Sequence, residues 1–262
     1  MPSLIVLLTD FGLEDEYVGT MKGVITGINP KAQIVDLCHN VAPQDILEGA
    51  YILYSSYKYF PPKTVFVVVV DPGVGSERRI ICLRTKSHTF LAPDNGILGL
   101  VLTKERPTFL VDVSNKKYFL PEVSATFHGR DIFAPVAAHL SLGLNPSKLG
   151  ERLEKIKEIA LPRPMQLPGG ILRGEVIHVD RFGNLITNIN HGLVSGIPEI
   201  LSITIGDNKI YRLSRSYQDG RPGDLLALFG SSGHLEIAIN QGSAKERLNV
   251  SRGEKVTIRY RK

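Results

Sequence analysis

Two different periodicities meet at a Pro- and Gly-rich stretch, Leu161-Pro162-Arg163-Pro164 through Pro168-Gly169-Gly170. Before it, residues 3–8 and 64–70 form short apolar runs that end on Thr9-Asp10 and on Asp71. Runs that are apolar on both faces are typical of buried parallel strands. Between them, residues 17–28 and 45–59 carry apolar side chains at helical spacing, for example Ile46, Ala50, Leu53 and Tyr57, up to the stop signal Pro61-Pro62. The alternation continues through 80–83, 89–92, 109–113 and a helix over 132–142 closed by Gly143. This pattern predicts an α/β domain with a largely parallel sheet over residues 1–160. The Pro/Gly stretch, 161–170, reads as a linker, and 171–262 as an all-β domain. There the apolar runs are short and strand-like: 174–179, 185–189, 201–205, 209–213, 225–229, 235–239 and 255–260. Leu235, Ile237 and Ile239 alternate with Glu236, Ala238 and Asn240, as in a half-buried strand of a small antiparallel barrel or sandwich.

Composition narrows the class. With 43% hydrophobic and 22% charged residues in 262, the chain is an ordinary globular one. Its first residues, MPSLIVLLTDFG, lack the basic start and the apolar length of a signal peptide or membrane span, which predicts a soluble cytoplasmic protein with no membrane partner. Cys38 and Cys82 form no C-x-x-C pair, and the seven histidines are scattered, so no disulfide framework and no metal site is expected. The net charge of +5 invites a nucleic-acid reading. However, the excess sits on Lys245, Arg247, Arg252, Lys255, Arg259, Arg261 and Lys262 against Glu246 and Glu254, interleaved with a terminal strand and not with stacking aromatics. That pattern suits a solvated sheet edge, and no nucleic-acid partner is expected.

Ligand crevices of open α/β sheets lie beyond the carboxyl ends of the strands, which points to Asp10 and Asp71. A carboxylate there can accept two hydrogen bonds from a vicinal diol, or can cap its own loop. Asp71-Pro72-Gly73-Val74-Gly75-Ser76-Glu77-Arg78-Arg79 lacks the ending of a phosphate-binding P-loop and reads equally as turn chemistry. Arg78 lies within the same loop, and Phe127-His128-Gly129-Arg130-Asp131 sets a histidine just before a helix. Asp180-Arg181-Phe182-Gly183-Asn184 joins a carboxylate, an aromatic face and an amide, either a purine-reading set or a hairpin. Gly230-Ser231-Ser232-Gly233 is a small polar loop suited to a carboxylate or to a plain turn.

Taken in order, Leu8-Thr9-Asp10-Phe11-Gly12, Asp71-Pro72-Gly73-Val74-Gly75, Ala92-Pro93-Asp94-Asn95-Gly96, Phe127-His128-Gly129-Arg130-Asp131, Phe182-Gly183-Asn184-Leu185-Ile186-Thr187-Asn188 and Ser231-Ser232-Gly233 resemble the S-adenosyl-L-methionine (SAM) hydroxide adenosyltransferase family, relatives of fluorinase and chlorinase. The resemblance implies an N-terminal α/β domain joined to a C-terminal β-barrel. It also implies a homotrimer with SAM bound at subunit interfaces, and a reaction in which SAM is the substrate and no cofactor takes part. By position, Asp10 resembles the ribose-gripping carboxylate, and Phe182, Asn184 and Tyr217 resemble the adenine set, helped by the backbone around Ile239. Asp15, Tyr17, Asp180, Ser231, Ser232 and Glu236 fall near the methionine end. Asp71, Arg78 and His128 resemble the water-activating trio of the hydrolytic branch. Where fluorinase has a Tyr this chain has Asp71, and where it has a Ser for fluoride this chain has Gly129, which favours water over halide.

The expected reaction is attack of water on ribose C5′, giving adenosine and L-methionine. His128 is the expected base, with Asp71 orienting it and Arg78 stabilising hydroxide. In the alternative division of labour, Arg78 holds Asp71 and the carboxylate acts on water. A halogenase-like transferase and a non-catalytic adenosine or SAM binder are the competing classes.

Overall fold

The structure, a computed structural model, describes residues 4–159 and 162–261. Ser3 of the first apolar run, Ala160 and Leu161 at the domain boundary, and Lys262 of the basic terminus lie outside the described residues. The chain divides into two compact units, Met1–Ala160 and Leu161–Lys262.

The first unit is built on a six-stranded sheet: β1 (Leu4–Thr9), β2 (Gln33–Cys38), β3 (Val65–Val69), β4 (Ile80–Arg84), β5 (Thr89–Pro93) and β6 (Phe109–Asp112), in the order β2-β1-β3-β5-β4-β6. Helices α1 (Tyr17–Ile28) and α4 (Ala134–Ser141) pack on one face, and α2 (Ile46–Ser56) and α3 (Gly99–Leu102) on the other. Period-two alternation sorts the central strands between two cores. Ile5, Leu7, Val65, Val67 and Val69 pack with Met21 and Ile25 of α1, and Val6, Leu8, Phe66 and Val68 pack with Ala50 and Leu53 of α2. Both faces are therefore apolar, which is why these strands read as continuous hydrophobic runs. Asp45 caps α2 by accepting the Glu48 N–H at 3.0 Å.

The sheet is mixed, which corrects the expectation of a largely parallel one. The β1–β2, β1–β3 and β3–β5 pairs are parallel, but β4 runs antiparallel to both β5 and β6. The reason is the length of one connection. β4 and β5 are joined by a tight turn in which the Thr85 N–H reaches the His88 carbonyl at 2.9 Å, too short for a crossover. The helix expected over 132–142 is preceded by a π-helical turn, Gly129–Phe133. Pro135, near the start of α4, has no N–H to continue a regular ladder backward.

The second unit is an eight-stranded, antiparallel, nearly barrel-shaped sheet: β7 (Met165–Leu167), β8 (Ile171–Val179), β9 (Leu185–Asn190), β10 (Glu199–Ile205), β11 (Asn208–Ile210), β12 (Leu225–Phe229), β13 (His234–Ile239) and β14 (Lys255–Arg261). The main path is β11-β10-β14-β8-β9-β13-β12, with β7 paired to β8. Two short helices, α5 (His191–Val194) and α6 (Ala244–Leu248), sit on its connections. Its core holds Leu172, Val176, Leu185, Ile203, Leu235, Ile237, Val256 and Ile258. β7 lies inside the stretch read as linker, because Gly169 and Gly170, both at positive φ, turn the chain back to pair it with β8. Among the described residues no helix is long and apolar enough to cross a membrane.

The Phe66 ring, fully buried and stacked on Phe90 at 5.2 Å, anchors the α2 side of the first unit. Phe66→Ala is expected to lower stability by about 3–5 kcal/mol, read as a fall in the urea midpoint. A change below about 1 kcal/mol would show that this core is not the cooperative centre of the unit.

Candidate functional site

Parallel pairing of β1 with β3 sets Thr9 opposite Val69, so the loops carrying Asp10 and Asp71 leave the same end of the sheet. Asp71 and Arg78 flank one loop between β3 and β4. Its form depends on Gly75, at φ 77°: a Cβ there would lie 2.3 Å from the Ala125 carbonyl oxygen, so the loop presses backbone to backbone on the segment leading to His128.

The geometry brings the trio together. Arg78 Nε donates to Asp71 Oδ1 at 3.0 Å and Oδ2 at 2.8 Å, and Arg78 Nη2 donates to Oδ2 at 2.5 Å. The same Nη2 donates to His128 Nδ1 at 2.8 Å. Both partners of the ion pair are nearly withdrawn from solvent, with side chains 4% (Asp71) and 11% (Arg78) exposed. A guanidinium only donates, so His128 Nδ1 must accept, and the neutral ring carries its proton on Nε2. Burial, and then the neighbouring Arg78 charge, hold the His128 pKa below the ordinary histidine value, against smaller upward pulls from Asp71, Asp131 and a hydrogen bond to the Ser124 backbone.

Sequence reasoning missed the supports behind these residues. Asp131, fully buried, accepts from Arg130 Nε at 2.6 Å, from the Ser124 N–H at 2.8 Å and from Ser124 Oγ at 2.7 Å. Burial pushes its carboxyl pKa up, but the Arg130 and Ser124 bonds more than offset this and leave it lowered. Ser124 Oγ in turn accepts the Phe127 N–H, so the clamp fixes the segment that carries His128. Asn95 Nδ2 ties the Val70 carbonyl next to Asp71 at 2.8 Å, which is the structural work of the Ala92-to-Gly96 motif. Of these, Asp131 and Asn95 stood inside quoted motifs; Ser124 left no sequence signal.

Asp10 stands beyond β1, with Oδ2 accepting the Gln44 N–H at 2.8 Å. Its loop is braced by His39. Thr9 Oγ lies 2.8 Å from His39 Nδ1 and accepts the Phe11 N–H, while the Gly12 N–H reaches the His39 carbonyl. His39 Nε2 sits 3.0 Å from Asp36 Oδ1, within ion-pair reach but off the line of a hydrogen bond, and Lys22 holds the other Asp36 oxygen. Tyr17, at the start of α1, packs edge-on against Phe127 and tilted against Phe11, whereas Asp15 is exposed in the preceding loop. A Cβ on Gly129 would meet Met21, Phe11 and Phe127 at 3.2 Å each, so the position is closely walled.

In the second unit Asp180, Phe182, Asn184, Tyr217, Ser231, Glu236 and Ile239 line one cavity of about 1230 Å³. Arg215 lines it too, as do Lys245 and Glu246, which sequence reasoning assigned to the solvated basic segment and not to a site. Ser232 is not among its lining residues, and its Oγ is buried without a hydrogen-bond partner. Phe182 is 74% exposed, an open aromatic face at the cavity. Tyr217 donates to Glu236 Oε2 at 2.9 Å. Burial, then the Glu236 carboxylate, push the Tyr217 pKa to about 12. Burial also raises the Glu236 pKa, helped by Asp180 and opposed by the Tyr217 bond. Among the described residues no three His, Cys, Asp or Glu side chains converge as a metal site.

Comparison with known proteins finds the chain similar to one family. Residues 5–150 match the SAM hydroxide adenosyltransferase N-terminal domain, and residues 174–257 match the C-terminal domain of the same family. The chain is 39% identical to an (R)-S-adenosyl-L-methionine hydrolase of Thermus thermophilus over 97% of its own length and 98% of the other's. It is 29% identical to a fluorinase of an Actinoplanes species over 97% of each chain. A crystal structure of a conserved protein from Thermotoga maritima superposes with a TM-score of 0.91 at 39% identity, covering 97% of this chain and 99% of that one. The chain belongs to the SAM hydroxide adenosyltransferase family.

Proposed function

We propose that this chain hydrolyses (R)-S-adenosyl-L-methionine to adenosine and L-methionine by in-line attack of water on ribose C5′. The observation that carries the reading is the Asp71–Arg78–His128 trio, a desolvated charged cluster in which Asp71 Oδ1, bonded once to Arg78, keeps capacity to accept another hydrogen bond. The sulfonium leaves as a neutral thioether, so the leaving group needs neither an acid nor a metal, and no cofactor is called for. What remains is to orient and deprotonate water, and positioning alone can lower such a barrier by about 7–11 kcal/mol.

Within the trio, the roles follow from hydrogen-bond polarity. His128 Nδ1 is occupied by Arg78, and Nε2 carries the proton, so this imidazole offers a donor and not a lone pair. That moves the proton-accepting role from His128 to Asp71, whose Oδ1 receives a single bond from Arg78. His128 Nε2–H and the guanidinium then hold the oxygen as negative charge develops on it. Asp10 grips the ribose hydroxyls through the capacity left by Gln44, and Phe182, Asn184 and Tyr217 take the adenine, with the backbone near Ile239 assisting. Asp15, Tyr17, Asp180, Ser231, Ser232 and Glu236 serve the methionine end. The walled position of Gly129 favours water over a halide site built from a side chain there.

We further propose a cytoplasmic homotrimer in which the curled second sheet closes as a barrel and sites form at subunit interfaces. Sedimentation should give a trimer, and a fully active monomer would contradict this.

Turnover in ¹⁸O-water should place the isotope in the adenosine 5′-hydroxyl, with the (R)-sulfonium consumed in preference to the (S). Methylthioadenosine as product, or adenosine without label, would refute the hydrolytic reading. The pH dependence reads the protonation state of His128. The His128 pKa is lowered, so the ring is neutral at pH 7 and stays so to below about pH 6.5. Its kcat should be level between about pH 6.5 and 8 and fall only below that window, as protonation of Nδ1 breaks the Arg78 bond. A rise across that window would mean that the ring titrates at or above the ordinary histidine value, against the lowering by burial and Arg78. Stability has the same sign: the unfolded chain takes this proton first, so the His128 contribution is lost as pH falls below about 6.5.

A further inference from the structure

One carboxylate in the second-unit cavity leaves a neighbouring amide no choice of orientation. Asp180 Oδ1 accepts the backbone N–H groups of Phe182 and Asn184, both at 2.9 Å, and Oδ2 accepts Asn184 Nδ2 at 2.9 Å. A carboxylate has no proton to give, so the Asn184 NH₂ must face it; the flipped amide would set Oδ1 against Oδ2. The turn cannot relax to allow that flip. Gly183 stands at φ 80° with the position of a Cβ only 2.1 Å from Ser243 Oγ, and its carbonyl receives the Lys245 N–H. Asn184 is itself 6% exposed. Its Oδ1, which no described residue's donor reaches, and its second N–H are the groups left for a ligand.

We infer that Asp180 is a positioning residue which fixes the polarity of the Asn184 amide and so makes the cavity select 6-amino purines over 6-oxo purines. The inference rests on the proposed adenine reading of this cavity and adds the source of its base selectivity. A 6-aminopurine presents a donor at N6 beside an acceptor at N7, the complement of an amide oxygen beside an amide N–H. A 6-oxopurine presents two acceptors along that edge, so Oδ1 would face O6 with no proton between them. Every hydrogen bond that Asp180 makes here is to the turn or to Asn184, a role additional to the one proposed for it at the methionine end.

The test uses nucleosides, which lack the methionine moiety, and the full-length protein. Binding of adenosine and of inosine is measured by calorimetry for the wild type, Asp180→Asn and Asp180→Ala. The wild type should favour adenosine by about tenfold or more, in line with one mismatched bidentate pair. In Asp180→Asn the new amide oxygen can still cap the two backbone N–H groups. Its NH₂ then attracts Asn184 Oδ1, which turns the Asn184 NH₂ toward the ligand, and the preference should vanish or invert toward inosine. In Asp180→Ala, Asn184 is free to turn either way and the ratio should fall toward one. Thermal melts identify which variants are folded, and either variant alone suffices. An unchanged adenosine-to-inosine ratio in a folded variant, or equal binding of both nucleosides by the wild type, would overturn the inference. Failure of the wild type to bind either nucleoside would overturn the purine reading itself, and the inference with it.

Discussion

A single guanidinium, that of Arg78, ties together three pieces of chain that the sequence keeps apart: the end of β3 at Asp71, the start of β4, and the segment before α4 at His128. Its planar fork can meet both carboxylate oxygens and still direct one N–H at an imidazole, which a lysine ammonium could not do with the same fixed geometry. Charge-assisted hydrogen bonds of this kind contribute about 1.5–3 kcal/mol each. Removing one partner from so dry a pair would cost more, because the other charge is then stranded. The loop geometry follows from this cluster. Gly75 is needed because the backbone must approach Ala125 closely enough for Arg78 to reach both partners.

The same interaction decides the chemistry. Because arginine cannot accept, the proton on His128 is placed by Arg78 on the far nitrogen, and burial first, then the Arg78 charge, hold the ring's pKa below the ordinary histidine value. The trio presents an ordered set of groups, with an acceptor on Asp71 and donors on Arg78 and His128. In the second unit a carboxylate again sets the polarity of its neighbours, here Asn184 through Asp180, while the exposed Tyr217 donates to the buried Glu236 and both pKa values are raised. In both units a rigid charged group sets the orientation of a softer polar group.

Much of this was legible in the residues. β1 and β3 announced themselves because burial on both faces removes polar alternation, and the acids that follow them, Asp10 and Asp71, leave the same end of the sheet. β2 left no clear signal, since it is an edge strand with Gln33 and Asp36 exposed among its apolar residues. The reversal of β4 depends on the turn at residues 85–88, whose length was visible but whose consequence for strand direction was not drawn. The trio and the Asp180–Asn184 turn were readable as motifs. Hydrogen-bond polarity was not, because it depends on which nitrogen of His128 and which end of Asn184 faces its partner, and that is set by tertiary contact. Ser124 and His39 escaped for the same reason: a serine and a histidine in loops acquire meaning only once their partners, Asp131 and Thr9, are in place.

The most direct measurement is the tautomer of His128. In protein labelled with ¹⁵N at the imidazole nitrogens, NMR at pH 7 distinguishes a protonated ring nitrogen from a bare one, and His128→Gln identifies the signal. The account requires Nδ1 bare and Nε2 protonated, as dictated by donation from Arg78. A proton on Nδ1, whether in the other neutral tautomer or in an imidazolium, would mean that the guanidinium does not hold this ring, and the assignment of roles within the trio would fail.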